Sequence, residues 1–176
     1  SITEGSDITA LLDGSDVTFS APADFNGSET FTISVSDGDL TDSQSITVIV
    51  NAVNDAPIAT ADLTGTTNED QSVVVTLSGS DIDGDALSFS LDSDASNGSV
   101  VIDGSFATYT PSANFNGSDS FTFMVSDGEL TDTDTVTLTI EAINDAPVLA
   151  SVSDVSFDED GSGSISLSAV SYTHLT

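Results

Sequence analysis

One pattern of residues occurs twice in this chain, and the two copies lie 90 positions apart. Three motifs recur at this spacing: FNGSETF at 25–31 and FNGSDSF at 115–121, VSDGDLTD at 35–42 and VSDGELTD at 125–132, and VNDAP at 53–57 and INDAP at 143–147. A fixed period indicates tandem copies of one supersecondary or domain unit, and about 90 residues is an ordinary size for a small domain. The chain is therefore expected to fold as a series of like units.

The repeat divides the chain into four predicted segments: 1–57 is the C-terminal part of a first repeat, 58–147 a complete repeat, 148–169 the start of a third, and 170–176 a foreign tail. In the third segment, DEDGSGSISL at 158–167 loosely repeats NEDQSVVVTL at 68–77. The tail VSYTHLT breaks the pattern and resembles the translated end of a sequencing adapter, so we interpret it as a scar. The alternative is a natural, divergent loop.

Apolar residues in the complete repeat alternate with small or polar ones, which is the pattern of a half-buried β-strand. Strands are predicted over 58–63, 71–78, 86–92, 98–102, 105–110, 119–126 and 133–142. About seven short strands in a unit of this size predict an all-β fold, a tandem Greek-key β-sandwich. The expected core is Phe89, Phe121, Phe123, Val125, Val136, Leu138 and Ile140, with Tyr109 and Phe115 capping it.

The charge of the chain limits its partners. Thirty acidic residues and no lysine or arginine give a net charge of -30, which opposes a compact state by self-repulsion. Cations are therefore expected as partners, whereas nucleic acid and anionic membrane are not. The chain has no cysteine, so no disulfide braces it. With no cysteine or lysine and only His174 in the tail, we expect no enzyme activity.

The stretch SDIDGD at 80–85 brings three aspartates within five positions. Spacing of two lets the side chains of Asp81 and Asp83 converge in a loop, and Ca²⁺ takes six to eight such oxygen ligands. An EF-hand does not fit, because loop positions six and twelve are Ala86 and Asp92 instead of glycine and glutamate. The alternative for any of these acids is ordinary solvated charge, to which we assign Asp70, Asp85, Asp132 and Asp134.

The order of the motifs carries a more specific signal. DxDG before an apolar strand, then VSDG, a VTLTI strand and NDAP, resembles the cadherin repeat. The pattern is most similar to the cadherin-like tandem repeats of large bacterial surface adhesins, and it covers nearly all of 1–169. The resemblance implies extracellular, immunoglobulin-like sandwiches in a row, with Ca²⁺ as the cofactor bound between successive repeats.

The same resemblance implies two sets of calcium ligands. The first contains Asn54 and Asp55 of the linker, Asp81 and Asp83 of DxDG, and Asp127 of SDG; the second contains Glu69, Asn144 and Asp145. The motifs lack the extra leading acid and the DRE sequence of animal cadherins, so one or two ions per junction are expected.

These observations favour a calcium-stiffened stalk module of a bacterial cell-surface adhesin. Its partners would be calcium ions and the neighbouring repeats of the same chain. The alternative is a direct adhesion module that binds a glycan, another cadherin-like domain or another surface protein. The absence of tryptophan weighs mildly against glycan binding.

Overall fold

The computed structural model of the protein describes residues 1–146 and 148–170, which are strands joined by turns and loops. The strands are β1 (Thr9–Asp13), β2 (Asp16–Ser20), β3 (Gly27–Ser36), β4 (Thr41–Val50), β5 (Ile58–Ala59), β6 (Thr64–Asn68), β7 (Val73–Thr76), β8 (Gly79–Ser80), β9 (Ser88–Ser93), β10 (Gly98–Asp103), β11 (Phe106–Pro111), β12 (Gly117–Ser126), β13 (Thr131–Glu141), β14 (Val148–Leu149) and β15 (Ala169–Val170). No helix that could cross a membrane occurs in the described part of the chain.

The described residues form two compact units. Unit 1 contains Ser1–Asp55 and Ile82–Asp85, and unit 2 contains Ala56–Asp81 and the described residues from Ala86 onward. The repeat boundaries given by the sequence stay predictions. The tail interpreted as a scar is 170–176, and all of it except Val170 lies outside the described residues.

Unit 2 is built from two main sheets. One has the strand order β6-β13-β12-β9 and the other the order β10-β11-β7, with the short pair β5-β8 beside them. β12 and β13 form a long antiparallel ladder from Gly117↔Ile140 to Ser126↔Thr131. The core side chains alternate along these strands, as expected for sheets that each bury one face. The predicted all-β sandwich is confirmed.

The core of unit 2 contains most of the residues that the alternation predicted. Phe121, Phe123, Val125, Val136, Leu138 and Ile140 are all buried. Two assignments were wrong in degree: Tyr109 is fully buried in the core instead of capping it, and Phe89 is only partly buried against it. The sequence pattern marks which face a residue takes, but how deeply it is buried depends on the elements that cover that face.

The strand prediction missed β6, whose sequence TGTTN has no apolar alternation. β6 lies parallel to β13, with Thr64 opposite Thr137 and Asn68 opposite Glu141. Its backbone is therefore held by a strand more than 70 residues later, a pairing that no local propensity reports. The strand predicted over 58–63 shortens to β5, because the chain leaves the β8 pairing after Ala59.

A carboxylate lies inside the sandwich of unit 2. Asp119 is 8% exposed and accepts hydrogen bonds from the backbone N–H groups of Asn97 at 2.8 Å and Ser96 at 3.2 Å. It also accepts one from the Tyr109 hydroxyl at 3.0 Å. Burial raises the pKa of Asp119, but the hydrogen bonds together outweigh it and leave this pKa below its usual value. Burial and the adjacent carboxylate raise the pKa of Tyr109.

Unit 1 contains the corresponding strands at the 90-residue offset. β1 pairs with β2, and β3 pairs with β4 from Gly27↔Val50 to Ser36↔Thr41. Phe31 is fully buried and its ring contacts that of Phe19, with centroids 4.9 Å apart. Glu29 takes the place of Asp119, accepting the N–H groups of Ser6, Asp7 and Ile8 at 2.7–3.3 Å. A carboxylate that holds a loop to the sandwich is thus a shared feature of both copies.

Candidate metal-binding site

The loop between β8 and β9 brings three carboxylates together. One oxygen atom from each of Asp81, Asp83 and Asp85 lies within 4.8 Å of the other two. Gly84 supports this arrangement, since its φ of +83° is costly for a residue with a Cβ. Asp81 is half-buried and the other two are exposed. The loop therefore gathers hard oxygen donors in the way that the i, i+2 spacing predicted.

The linker contributes a contact to the same loop. The backbone N–H of Asp55 donates a hydrogen bond of 2.8 Å to Asp83 Oδ2. Asn54 and Asp55 are both half-buried. This bond fixes the direction of the Asp83 carboxylate and places it beside the NDAP motif.

The Asp127 side chain stabilises the turn between β12 and β13. Its Oδ1 accepts hydrogen bonds from the N–H groups of Glu129 and Leu130, both at 2.7 Å. Asp37 repeats this turn in unit 1, at 3.0 and 2.9 Å, and hydrogen bonds from Leu40 and Asp39 lower its pKa. The SDG motif is thus explained by turn formation, and a ligand role for Asp127 stays a prediction.

The second predicted ligand set lies around a cavity of about 470 Å³ that Glu69, Asp145 and Ile143 help to line. Glu69 is 3% exposed, and its Oε1 accepts the backbone N–H of Ile143 at 2.5 Å. Asp145 Oδ2 is buried and accepts no hydrogen bond from any residue that the structure describes. Asn144 is exposed, and its side-chain amide donates to the Asp145 carbonyl at 3.3 Å. Glu69 and Asp145 thus line one cavity, Asn144 is the neighbour of Asp145 in the chain, and a ligand role for the three stays a prediction.

Some acids assigned to solvated charge have structural partners instead. Asp85 joins the cluster of the 81–85 loop. Asp132 is half-buried, and its Oδ2 accepts the N–H of Ala59 at 2.8 Å. Asp70 Oδ1 accepts the N–H of Asn114 at 3.0 Å. The partners of Asp132 and Asp70 lie 73 and 44 residues away, so no local sequence signal could have revealed them.

The donors at both locations suit a hard divalent cation. They are carboxylate and amide oxygens, which Ca²⁺ prefers, and the chain has no thiol for a softer metal. The buried Asp145 Oδ2 is an atom whose desolvation a bound cation would offset. The residues present therefore fit Ca²⁺, with Asp81, Asp83 and Asp85 as one donor group and Glu69 with Asp145 as the other.

The sequence of the chain matches a family model described as "Bacterial Ig domain" over residues 1–49 and 54–139. The chain belongs to the bacterial Ig domain family. Domains of this family are typically extracellular or surface-exposed, and this bacterial Ig chain is accordingly a structural or adhesion module of that kind. No curated protein sequence matches it.

Solved cadherin structures resemble this bacterial Ig chain in fold. Human protocadherin-24 EC1-2 has a TM-score of 0.56 at 17% identity, covering 83% of this chain and 81% of that one. The protocadherin gammaB7 EC3-6 cis-dimer structure has a TM-score of 0.57 at 17% identity, covering 98% of this chain and 51% of that one. The predicted resemblance to cadherin-like, immunoglobulin-like repeats is confirmed.

The expectation of no enzyme activity was wrong as a general exclusion. The similar structures include an endo-fucoidan hydrolase of glycoside hydrolase family 107, with a TM-score of 0.40 and 17% identity over 81% of this chain. The bacterial Ig chain spans about a quarter of the length of that enzyme and of the related hydrolase that also matches. The matched region is thus only one part of those enzymes.

Proposed function

We propose that this bacterial Ig chain is a stalk segment of a cell-surface adhesin and that Ca²⁺ binding stiffens it. The observation that carries the proposal is the carboxylate cluster of the 81–85 loop, in which three oxygens lie within 4.8 Å of one another. The chain contains no lysine or arginine that could balance this charge. Three carboxylates at this separation repel one another. A divalent cation bound among them would attract each carboxylate and offset that repulsion.

The proposed ligands have separate roles. Asp81, Asp83 and Asp85 would supply the carboxylates, and the hydrogen bond from Asp55 to Asp83 keeps the linker beside them. Asn54, Asp55 and Asp127 complete the first set by their motif positions. Glu69, Asn144 and Asp145 form the second set, for which the buried Asp145 Oδ2 provides support. Bound Ca²⁺ would hold linker and loop together and so restrict motion of the chain at that point.

Calcium titration calorimetry on the 176-residue chain tests the site. We expect a heat signal that saturates as Ca²⁺ is added. The melting temperature should also rise with Ca²⁺, since a ligand that binds only the folded state stabilises it by about 2.7 kcal/mol at 100 times its Kd. Asp83→Asn should weaken binding about tenfold or more, because it removes a charged ligand and leaves a neutral amide. Asp103→Asn is the matched control, since it changes the net charge equally at an exposed position outside the cluster.

The stalk role requires a mechanical readout as well. Small-angle scattering of the chain should show a narrower distribution of dimensions in Ca²⁺ than in chelator, and Asp83→Asn should need more Ca²⁺ for the same change. Equal calcium affinity of Asp83→Asn and Asp103→Asn would contradict the site. Binding without any change in scattering would retain the site and refute the stiffening.

A further inference from the structure

Asp132 connects two parts of unit 2 that are far apart in the sequence. Its side chain extends from β13 to β5, where Oδ2 accepts the backbone N–H of Ala59 at 2.8 Å. Asp132 is half-buried and Ala59 is 5% exposed, so water does not easily replace this hydrogen bond. The contact therefore fastens β5 to the β12–β13 hairpin.

The Ala59 N–H needs an acceptor outside the β5–β8 ladder. Ala59 lies opposite Gly79 in this antiparallel pair, and the N–H of the next residue, Thr60, donates to the Ser78 carbonyl at 2.9 Å. Hydrogen-bonded and non-hydrogen-bonded pairs alternate along an antiparallel ladder, so the Ala59 N–H points away from β8. Because a buried N–H must be paired, the Asp132 carboxylate completes the bonding of β5 on its second side.

The strand β8 lies unusually close to β5 because residue 79 has no side chain. A Cβ added to Gly79 would lie 2.9 Å from the Ile58 carbonyl oxygen and 3.2 Å from Val125 Cγ2. β8 is thus packed against the backbone of β5 on one side and against a core residue of β12 on the other. Whatever fixes β5 in unit 2 consequently fixes β8 as well.

Three motifs of the first predicted ligand set are continuous with these elements. The linker motif NDAP ends at Pro57, immediately before β5, and the DxDG loop begins at Asp81, immediately after β8. Asp127 lies in the turn of the hairpin from which Asp132 extends. The bond from Asp132 to Ala59 therefore fixes the end of the linker and the start of the loop on the hairpin that carries Asp127.

We propose that Asp132 is a positioning residue for the first of the two proposed calcium sites. This inference rests on the proposed function and adds a residue to it. Asp132 holds β5, and through β8 the start of the 81–85 loop, without binding the ion itself. In the described part of the chain the carboxylate cluster consists of Asp81, Asp83 and Asp85, and Asp132 lies outside it.

A contact of this kind raises metal affinity by preorganisation. A site whose ligands come from separate segments must order those segments on binding, and the ordering reduces the affinity. A bond that orders them beforehand removes part of this cost. Loss of a group that orients metal ligands typically weakens metal binding about 10–100-fold. Because Asp132 acts through β5 and β8, we expect an effect near the lower end of this range.

Calcium titration calorimetry on the 176-residue chain compares three variants with the parent. Asp132→Ala removes the acceptor and should weaken calcium binding about tenfold. Asp132→Asn keeps an acceptor oxygen but loses the charge, so its affinity should stay within about threefold of the parent at physiological salt. Asp134→Ala is the matched control, since it removes the same charge two residues along β13, where Oδ1 accepts the N–H of the adjacent Thr135.

Hydrogen–deuterium exchange in chelator tests the same contact without calcium. The exchange rate of the Ala59 amide reports how often its hydrogen bond opens. Asp132→Ala should raise this rate at least about tenfold, because the acceptor is a charged group. Asp132→Asn should restore most of the protection, and Asp134→Ala should leave it unchanged. Circular dichroism shows whether each variant is folded.

Gly79→Ala tests the route through β8 without changing any charge, and it replaces Asp132→Ala if that variant does not fold. The added Cβ would push β8 away from Ile58 and Val125, so calcium binding should weaken several-fold. Both substitutions loosen one connection. The loss in the double variant should therefore be smaller than the product of the two separate losses.

Three outcomes would overturn the inference. Equal calcium affinity of Asp132→Ala and Asp134→Ala would show that Asp132 does not position the site, and it would leave the proposed function intact. An affinity of Asp132→Asn as low as that of Asp132→Ala would make Asp132 a ligand. Absence of calcium binding by the parent would refute the proposed function together with this inference, and the exchange of Ala59 would then report a structural bond alone.

Discussion

The Asp119 carboxylate offers the sharpest test of how this sandwich is held together. It accepts hydrogen bonds from the N–H groups of Ser96, Asn97 and Ser120 and from the Tyr109 hydroxyl, at 2.8–3.2 Å. Asp119→Asn keeps the shape and one acceptor oxygen but removes the charge. Hydrogen bonds to a charged group contribute about 1.5–3 kcal/mol and neutral ones about 0.5–1.5 kcal/mol.

The expected loss follows from that difference. Two of the four bonds would be weakened, and the two donors that face the other carboxylate oxygen would meet an NH2 group that cannot accept; together these losses cost about 4 kcal/mol, and the easier burial of a neutral amide returns part of it. We therefore expect Asp119→Asn to reduce the free energy of unfolding by about 2 kcal/mol. Urea denaturation followed by circular dichroism measures this as a lower midpoint at unchanged slope. Asp103→Asn is the control for the change in net charge, which by itself relieves repulsion.

The pH dependence has a defined sign. The pKa of Asp119 in the folded protein lies below its usual value, so its contribution is complete above the unfolded pKa of about 3.9 and is lost as pH falls through the folded value. The difference between parent and Asp119→Asn should therefore be constant near neutral pH and shrink below about pH 4. A loss no larger than that of Asp103→Asn, or a difference that grows on acidification, would refute the reasoning.

Two further substitutions test packing and turn formation. Gly65→Ala should lower the free energy of unfolding by about 1–3 kcal/mol, because the added Cβ would lie 2.8 Å from Val75 Cγ2 and 2.9 Å from Leu138 Cδ2. Thermal melting measures this loss. An unchanged melting temperature would show that the two sheets can move apart freely. Asp127→Ala should cost about 1–2 kcal/mol in chelator, because the N–H groups of Glu129 and Leu130 lose their acceptor. A loss seen only in the presence of Ca²⁺ would instead assign Asp127 to the metal.

The position of the buried carboxylate on the core face could have been predicted from the sequence. Asp119 lies two residues before Phe121 and four before Phe123, so the period of two places it on the core face. Glu29 has the same relation to Phe31. An acid at a core position in both copies marks a buried, hydrogen-bonded group, although its donors could not be named from the pattern. The donors to Asp119 include the loop before β10 and Tyr109 of β11, and the donors to Glu29 come from the segment before β1.

The sequence by itself determined whatever depends on neighbours along the chain. The alternation of apolar residues defined the strands β7 and β9–β13 and their buried faces. The i, i+2 spacing brought Asp81 and Asp83 together, and only the structure added Asp85 to them. The 90-residue repeat established that the units are alike.

Only the tertiary structure decided what depends on distant partners. It placed the polar strand β6 against β13, Asp132 on the backbone of Ala59, and Glu69 on that of Ile143. These contacts join residues about 70 or more positions apart, and they form because a buried backbone group must find a partner wherever the fold brings one. Local propensity contains no information about such pairs, so they become visible only when the sheets are assembled.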